Sequence, residues 1–116
     1  MAKKTGRVTI KLDGTPLRSK PGASLQVGGV QREADADDQG QVYYRETIVP
    51  AEIVATMVHV ADTDLLALRD FTEGVAEYIC DTGRTYVVRG AFTTELGTLE
   101  NGEVQISLSG QPAEQT

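Results

Sequence analysis

Between residues 7 and 12 every second side chain is apolar: Val8, Ile10 and Leu12 alternate with Arg7, Thr9 and Lys11. A period of two puts the two sets on opposite faces of a half-buried strand and fits no helix. The same alternation recurs along the chain, and each run is stopped by a turn signal. Asp13-Gly14 suits the positive-φ positions of a tight hairpin and predicts a short return strand over 15–18, which Pro16 keeps at a sheet edge. Lys20-Pro21-Gly22 turns the chain before a third strand over 24–27. Residues 43–49 read as a strand, Pro50-Ala51 interrupts it, and 52–60 continue as a long strand, apolar on both faces and therefore expected to be central. Residues 75–81 and 85–92 form a hairpin around Asp81-Thr82-Gly83-Arg84. Asn101-Gly102 leads into a last strand over 103–109, with Val104, Ile106 and Leu108 on one face.

Two stretches break the alternation. Residues 64–71 predict the one substantial helix, with Asp62 or Thr63 as cap, Leu65, Leu68 and Phe71 on one stripe, and Gly74 as the stop. Residues 28–41 open on Gly28-Gly29, contain the acid run Glu33, Asp35, Asp37 and Asp38, and show neither period. They read as a long, exposed acidic loop of the kind that is either functional or disordered. The expectation is a mainly β fold, a sandwich or partly open barrel of about eight strands with one flanking helix. Its domain spans 7–110, between a flexible basic segment at 1–6 and a disordered tail at 111–116. Several strands must be edges, and those after Pro50 carry little of the charge or proline that blocks an edge. They are expected to pair with other copies.

Composition narrows the function classes. A chain of 116 residues is the size of one domain. It has no run of about 18 apolar residues to cross a membrane and no apolar signal stretch near its start, so synthesis in the cytoplasm is expected. Cys80 is the single cysteine, which excludes an internal disulfide, and it reads as a small core side chain. The net charge of −6 argues against holding nucleic acid by phosphate neutralisation. The charge is also segregated. Six basic residues and one acid occupy positions 1–20, against five arginines and sixteen acids in the remainder. Opposite patches of this kind steer and register association between copies.

No motif for catalysis stands out. His59, the one histidine, lies in the apolar run Met57-Val58-His59-Val60 and reads as a strand-end residue. The closest match to a ligand motif is Asp35-x-Asp37-x-Gln39-Gly40 with Glu46. It has oxygen ligands at loop positions 1, 3, 5 and 12 and glycine at 6, as in a calcium-binding EF-hand loop. Its flanks are those of strands, with Gly22, Gly28 and Gly29 before it and Pro50 soon after, where helices should enter and leave. No cofactor is implied.

Taken in order, several segments resemble the tail tube proteins of contractile-tailed, Mu-like bacteriophages. They are Gly40-x-Val42, Val49-Pro50-Ala51, Asp64-Leu65 with Leu68, the run Thr82-Gly83-Arg84-Thr85-Tyr86-Val87-Val88, and Gly102-Glu103-Val104. The resemblance covers roughly residues 7–110 and rests on order and spacing. It implies a two-sheet β-sandwich whose copies close as hexameric rings and stack into the inner tail tube. That tube would be a conduit through which DNA passes during ejection without specific binding. It further implies sheath, baseplate and tape-measure proteins as partners, and a virion location after assembly in the host cytoplasm. Subunit and ring–ring contacts are expected at Lys3, Lys4, Arg7, Gly28, Gly29, Glu33, Asp35, Asp37, Asp38, Tyr43 and Tyr44. Glu52 and Glu77 are candidates for the lumen wall, where carboxylates repel phosphates. The competing readings are the tube of a phage-tail-like or secretion particle, and a monomeric calcium-binding β module.

Overall fold

The computed structural model describes residues 4, 6–60 and 64–115. β1 (Val8–Leu12) turns through Asp13 and Gly14, at φ 51° and 85°, into β2 (Thr15–Leu17), as the Asp-Gly pair predicts. Asp13 also anchors this turn. Its N–H donates to the Val75 carbonyl and its Oδ1 accepts from the Val75 N–H at 2.8 Å, at the bulge of β7 (Gly74–Cys80).

β8 (Thr85–Leu96) pairs first with β7 and then, past Gly90 at φ 61°, with β9 (Glu103–Gly110). One bent strand therefore serves two sheets. One is β2-β1-β7-β8; the other is β8-β9-β6-β3, formed with β6 (Ala51–Val58) and β3 (Ser24–Gln26). Bends and bulges are how a strand turns the corner of a sandwich. On the opposite side Ser19 bridges to Met57, the Lys20 N–H donates to the Thr56 carbonyl and the Val58 N–H to that of Arg18. Residues 18–20 thus join the two sheets and close the sandwich most of the way to a barrel.

The alternation read from sequence fills the interior. Ile10 and Leu12 of β1, Ala76 and Tyr78 of β7, Val88 of β8, Ile53 and Met57 of β6, and Val104, Ile106 and Leu108 of β9 form one buried cluster. Cys80 belongs to it as a free thiol. The Tyr78 hydroxyl donates to the Ala23 carbonyl at 3.1 Å, and burial pushes its pKa up. His59 follows β6, half-buried, with its N–H on the Gly102 carbonyl.

Four expectations need correction. β6 is not central: it lies second from the edge behind β3, and its outward side chains Val54 and Thr56 are half-buried while Val58 is exposed. The helix α1 (Leu65–Arg69) is shorter than 64–71 and is capped by Asp64, whose side chain accepts from the Ala67 N–H; Asp62 and Thr63 lie outside the described residues. Part of the tail is ordered, because β10 (Glu114–Gln115) pairs with Val87 and Tyr86 and the Ala113 N–H donates to the Val27 carbonyl. Finally, most of 28–41 is a strand. β4 (Gly29–Ala36) and β5 (Val42–Val49) form a separate two-stranded sheet.

Candidate functional site

The β4–β5 hairpin is an arm. Its substantial contacts are internal, and almost all its side chains are exposed. Eight residues per strand span about 26 Å at ~3.3 Å per residue. The projection stretches the molecule to 65 × 39 × 24 Å and its radius of gyration to 17.3 Å, against about 13 Å expected for a compact chain of this length.

The arm continues the body's own ribbon. Ser24 faces Val54 and Gln26 faces Glu52 in β3–β6, and the same register runs on from Gly29 facing Val49 to Ala36 facing Val42. The interruption falls at Gly28 and Pro50. Gly28 sits at φ +71°, and a Cβ there would come within 2.5 Å of the Val49 carbonyl oxygen.

Across that interruption the polarity of the ribbon inverts. In the body, Leu25 and Ile53 share a register pair and face the core. On the arm, the positions in phase with them hold Gln31 opposite Thr47, Glu33 opposite Arg45, and Asp35 opposite Tyr43. The other face carries Val30 opposite Ile48, Ala34 opposite Tyr44, and Ala36 opposite Val42, crossed by one pair, Arg32 and Glu46, at 3.4 Å. Ile48 is 73% exposed, Tyr44 and Val42 68% each, and Val30 48%. An isolated two-stranded hairpin is marginal in water. An apolar stripe of this kind is a candidate surface for another molecule to cover, and each large side chain buried there would contribute on the order of 1.5–3 kcal/mol. The exposed pair Arg32–Glu46 adds at most about 1 kcal/mol.

The tip is ordered by Asp37. Its Oδ1 accepts from the N–H groups of Gln41 at 3.0 Å and Gln39 at 2.9 Å, and its Oδ2 from the Tyr43 hydroxyl at 3.2 Å. The Gln41 and Gln39 hydrogen bonds, in that order, hold its pKa below the ordinary carboxylate value. The spacing that resembles a calcium loop is thus a hairpin end. Asp35 and Glu46 stand on opposite faces of the arm, 3.7 Å and 3.4 Å from Arg45 and Arg32, so they do not converge on one point. Among the described residues no group of three or more His, Cys, Asp or Glu side chains could hold a metal ion.

Of the other expected contact residues, Gly28 and Gly29 form the hinge of the arm, Glu33, Asp35 and Tyr43 line its polar face, Tyr44 its apolar face, and Asp38 its tip. Lys4 and Arg7 are exposed, the Arg7 N–H donates to Asp81 Oδ2, and Lys3 lies outside the described residues. Arg7 and Lys20 border a cleft of about 480 Å³ with Ser19 and Tyr78, and Lys20 Nζ meets Glu103 at 2.6 Å. Next to it, a second cleft of about 560 Å³ runs between β2 and α1, lined by Pro16, Leu17, Met57, Val58, Ala67 and Leu68 together with Thr15, Arg18 and Asp64.

The two lumen candidates do not share a face. Glu77 points outward from β7, opposite Lys11 and Val87, whereas Glu52 points outward from β6, opposite Gln26 and Ser109. The two sheets turn their inner faces to one core, so their outer faces look away from each other. Around Glu52 the outward positions of β3, β6 and β9 hold Ser24, Val54, Thr56, Val58, Glu103, Gln105 and Ser107, with Phe92 and Glu95 from the end of β8. No Lys or Arg occurs in β3, β6, β9 or 92–96. The outer face around Glu77 is mixed, with Lys11 and Arg89.

Half of the arm is legible in the sequence, since 43–49 reads as the strand that β5 is, but the order of β4 and the apolar face are not. A signal was present: Val30, Ala34 and Ala36 alternate with Gln31, Glu33 and Asp35, and Val42, Tyr44 and Ile48 with Tyr43 and Arg45. Arg32 and Glu46 interrupt the alternation, and two alanines make it faint.

Comparison with known proteins agrees with this architecture. The family model described as phage tail tube protein matches residues 1–115. The Mu-like prophage FluMu tail tube protein of Haemophilus influenzae is 30% identical over 106 residues, 90% of this chain and 88% of that relative. Among solved structures, the tube-terminating cap of the anti-feeding prophage superposes with a TM-score of 0.74 at 13% identity, covering 97% of this chain and 89% of that one. The sheath–tube complex of an extracellular contractile injection system gives 0.72 at 13% identity, covering 95% and 88%.

Proposed function

The chain belongs to the phage tail tube protein family, and from that premise we propose that it is the structural subunit of an inner tail tube, built as stacked hexameric rings that conduct DNA. The observation that carries this reading is the arm: a monomer that exposes Val30, Val42, Tyr44 and Ile48 on one face of a projecting hairpin is incomplete by itself. The role is architectural, and the chain acts without a cofactor.

The lumen wall is the outward face of β3, β6, β9 and the end of β8. Glu52 and Glu95 give it negative charge, Glu103 is paired with Lys20 at its border, and serine, threonine and glutamine supply the rest of its polar surface. Such a wall repels phosphates and lets DNA slide past. Glu77 then lies on the far side of the sandwich, toward the sheath. Baseplate and tape-measure proteins meet the ends and interior of the tube, in a virion tail assembled in the host cytoplasm. DNA is chosen as cargo because the 30%-identical relative is a Mu-like prophage tail tube protein.

Sedimentation of the purified chain across a hundred-fold range of concentration tests the reading. Rising concentration should convert monomer into discrete large species. A single monomeric boundary throughout would remove the proposal.

A further inference from the structure

We propose that the apolar face of the arm docks in the β2–α1 cleft of a second copy, with the arm's acidic tip against the basic cleft beside it. This rests on the tube reading and names which surface receives the arm.

The arm and the two clefts match in two halves, one apolar and one charged. The arm's apolar face, with Val30, Ile48, Tyr44 and Val42, needs an apolar seat of some depth. The cleft between β2 and α1 offers Pro16, Leu17, Met57, Val58, Ala67 and Leu68 around about 560 Å³, room for several large side chains. Beyond Ala36 the arm ends in Asp37 and Asp38, with Asp35 just behind. The neighbouring cleft carries Arg7 and Lys20, the latter in an exposed ion pair with Glu103 at 2.6 Å that the arm's tip would share. The two clefts are linked along 15–23, whose residues line first one and then the other. That segment spans up to about 30 Å of extended chain, a length similar to the arm's. Among the described residues the apolar cleft carries one acid, Asp64, which caps α1, and one base, Arg18, whereas the neighbouring cleft carries two bases and no acid, which sets the direction: arm base toward α1, tip toward Arg7 and Lys20.

This contact joins two different patches, so it is heterologous. Each copy that donates an arm still presents an empty cleft. Such an interface cannot stop at a symmetric dimer; it closes as a ring or grows as a filament.

Two variants separate this proposal from the tube reading. Ile48→Asp disables the arm and leaves the cleft intact. Ala67→Trp fills the cleft at an exposed helix position and leaves the arm intact. Each variant by itself should stay monomeric, with a melting profile like that of the unmodified chain. Mixed together they should form one-to-one pairs that grow no further, read by native mass spectrometry. Raising salt should weaken the pairs, and Asp35→Lys with Asp38→Lys on the arm-bearing copy should weaken them at least ten-fold. If the unmodified chain assembles but Ala67→Trp assembles equally well, or the mixture gives no pairs, the arm docks elsewhere and this inference fails while the tube reading stands. If the unmodified chain never assembles, both fail.

Discussion

At the scale of single residues, Asp37 shows how one side chain makes a tip. Its carboxylate takes up two backbone N–H groups that a four-residue reversal would leave open, and the tyrosine two positions beyond the second of them supplies a third donor. Because these bonds favour the charged form, the pKa of Asp37 lies below the ordinary value of about 3.9. The stabilisation of the tip is therefore complete above that value and is lost as pH falls through the lower folded one. The amide resonances of Gln39 and Gln41, followed against pH, should titrate with a midpoint below about 3.9. A midpoint at or above it would contradict the hydrogen bonding. In the sequence, Asp37 stood out for its spacing to Asp35, Gln39 and Glu46. That spacing could not tell a metal loop from a hairpin, since both need an oxygen acceptor and a glycine at a sharp turn. The register decides, because it puts Asp35 and Glu46 on opposite faces.

Among the elements, legibility follows how much of each is buried in its own chain. β1, β7 and β9 turn alternate residues into the core, so Val8, Ile10 and Leu12 or Val104, Ile106 and Leu108 announce them directly. The arm leaves its apolar residues exposed and mixes them with Arg32 and Glu46, so its period is blurred. β10 is two residues long and is fixed by pairing with β8, which leaves no pattern at all. The hinge of the arm has its own expectation. Gly28 holds φ +71° with no room for a Cβ, so Gly28→Ala combines a left-handed backbone cost of about 1–2 kcal/mol with a clash against the Val49 carbonyl. The body should keep its core while the arm is displaced. Hydrogen exchange should show new lability confined to β4, β5 and the start of β6, together with loss of assembly. Normal assembly with unchanged exchange would show that the hinge geometry is dispensable.

Over the whole molecule, two asymmetries read from composition acquire positions. Of the basic residues among the first twenty, Arg7 and Lys20 border the cleft beside β2, and Arg18 and Lys20 belong to the segment that closes the sandwich. Two groups of acids stand out: Glu33, Asp35, Asp37 and Asp38 on the arm, and Glu52, Glu95 and Glu103 on the outward face of the β3-bearing sheet, whose strands β3, β6 and β9 hold no Lys or Arg. A projecting arm and a one-sided acidic sheet suit the proposed ring, in which the arm would reach a neighbour and the sheet would face the axis. The most direct test is electron cryomicroscopy of the purified chain at high concentration. The account predicts hexameric rings or stacked tubes with Glu52 and Glu103 on the lumen wall and each arm covered by another copy. Particles that remain single chains at every concentration, or rings whose lumen is lined by the Lys11–Glu77–Arg89 face, would contradict it.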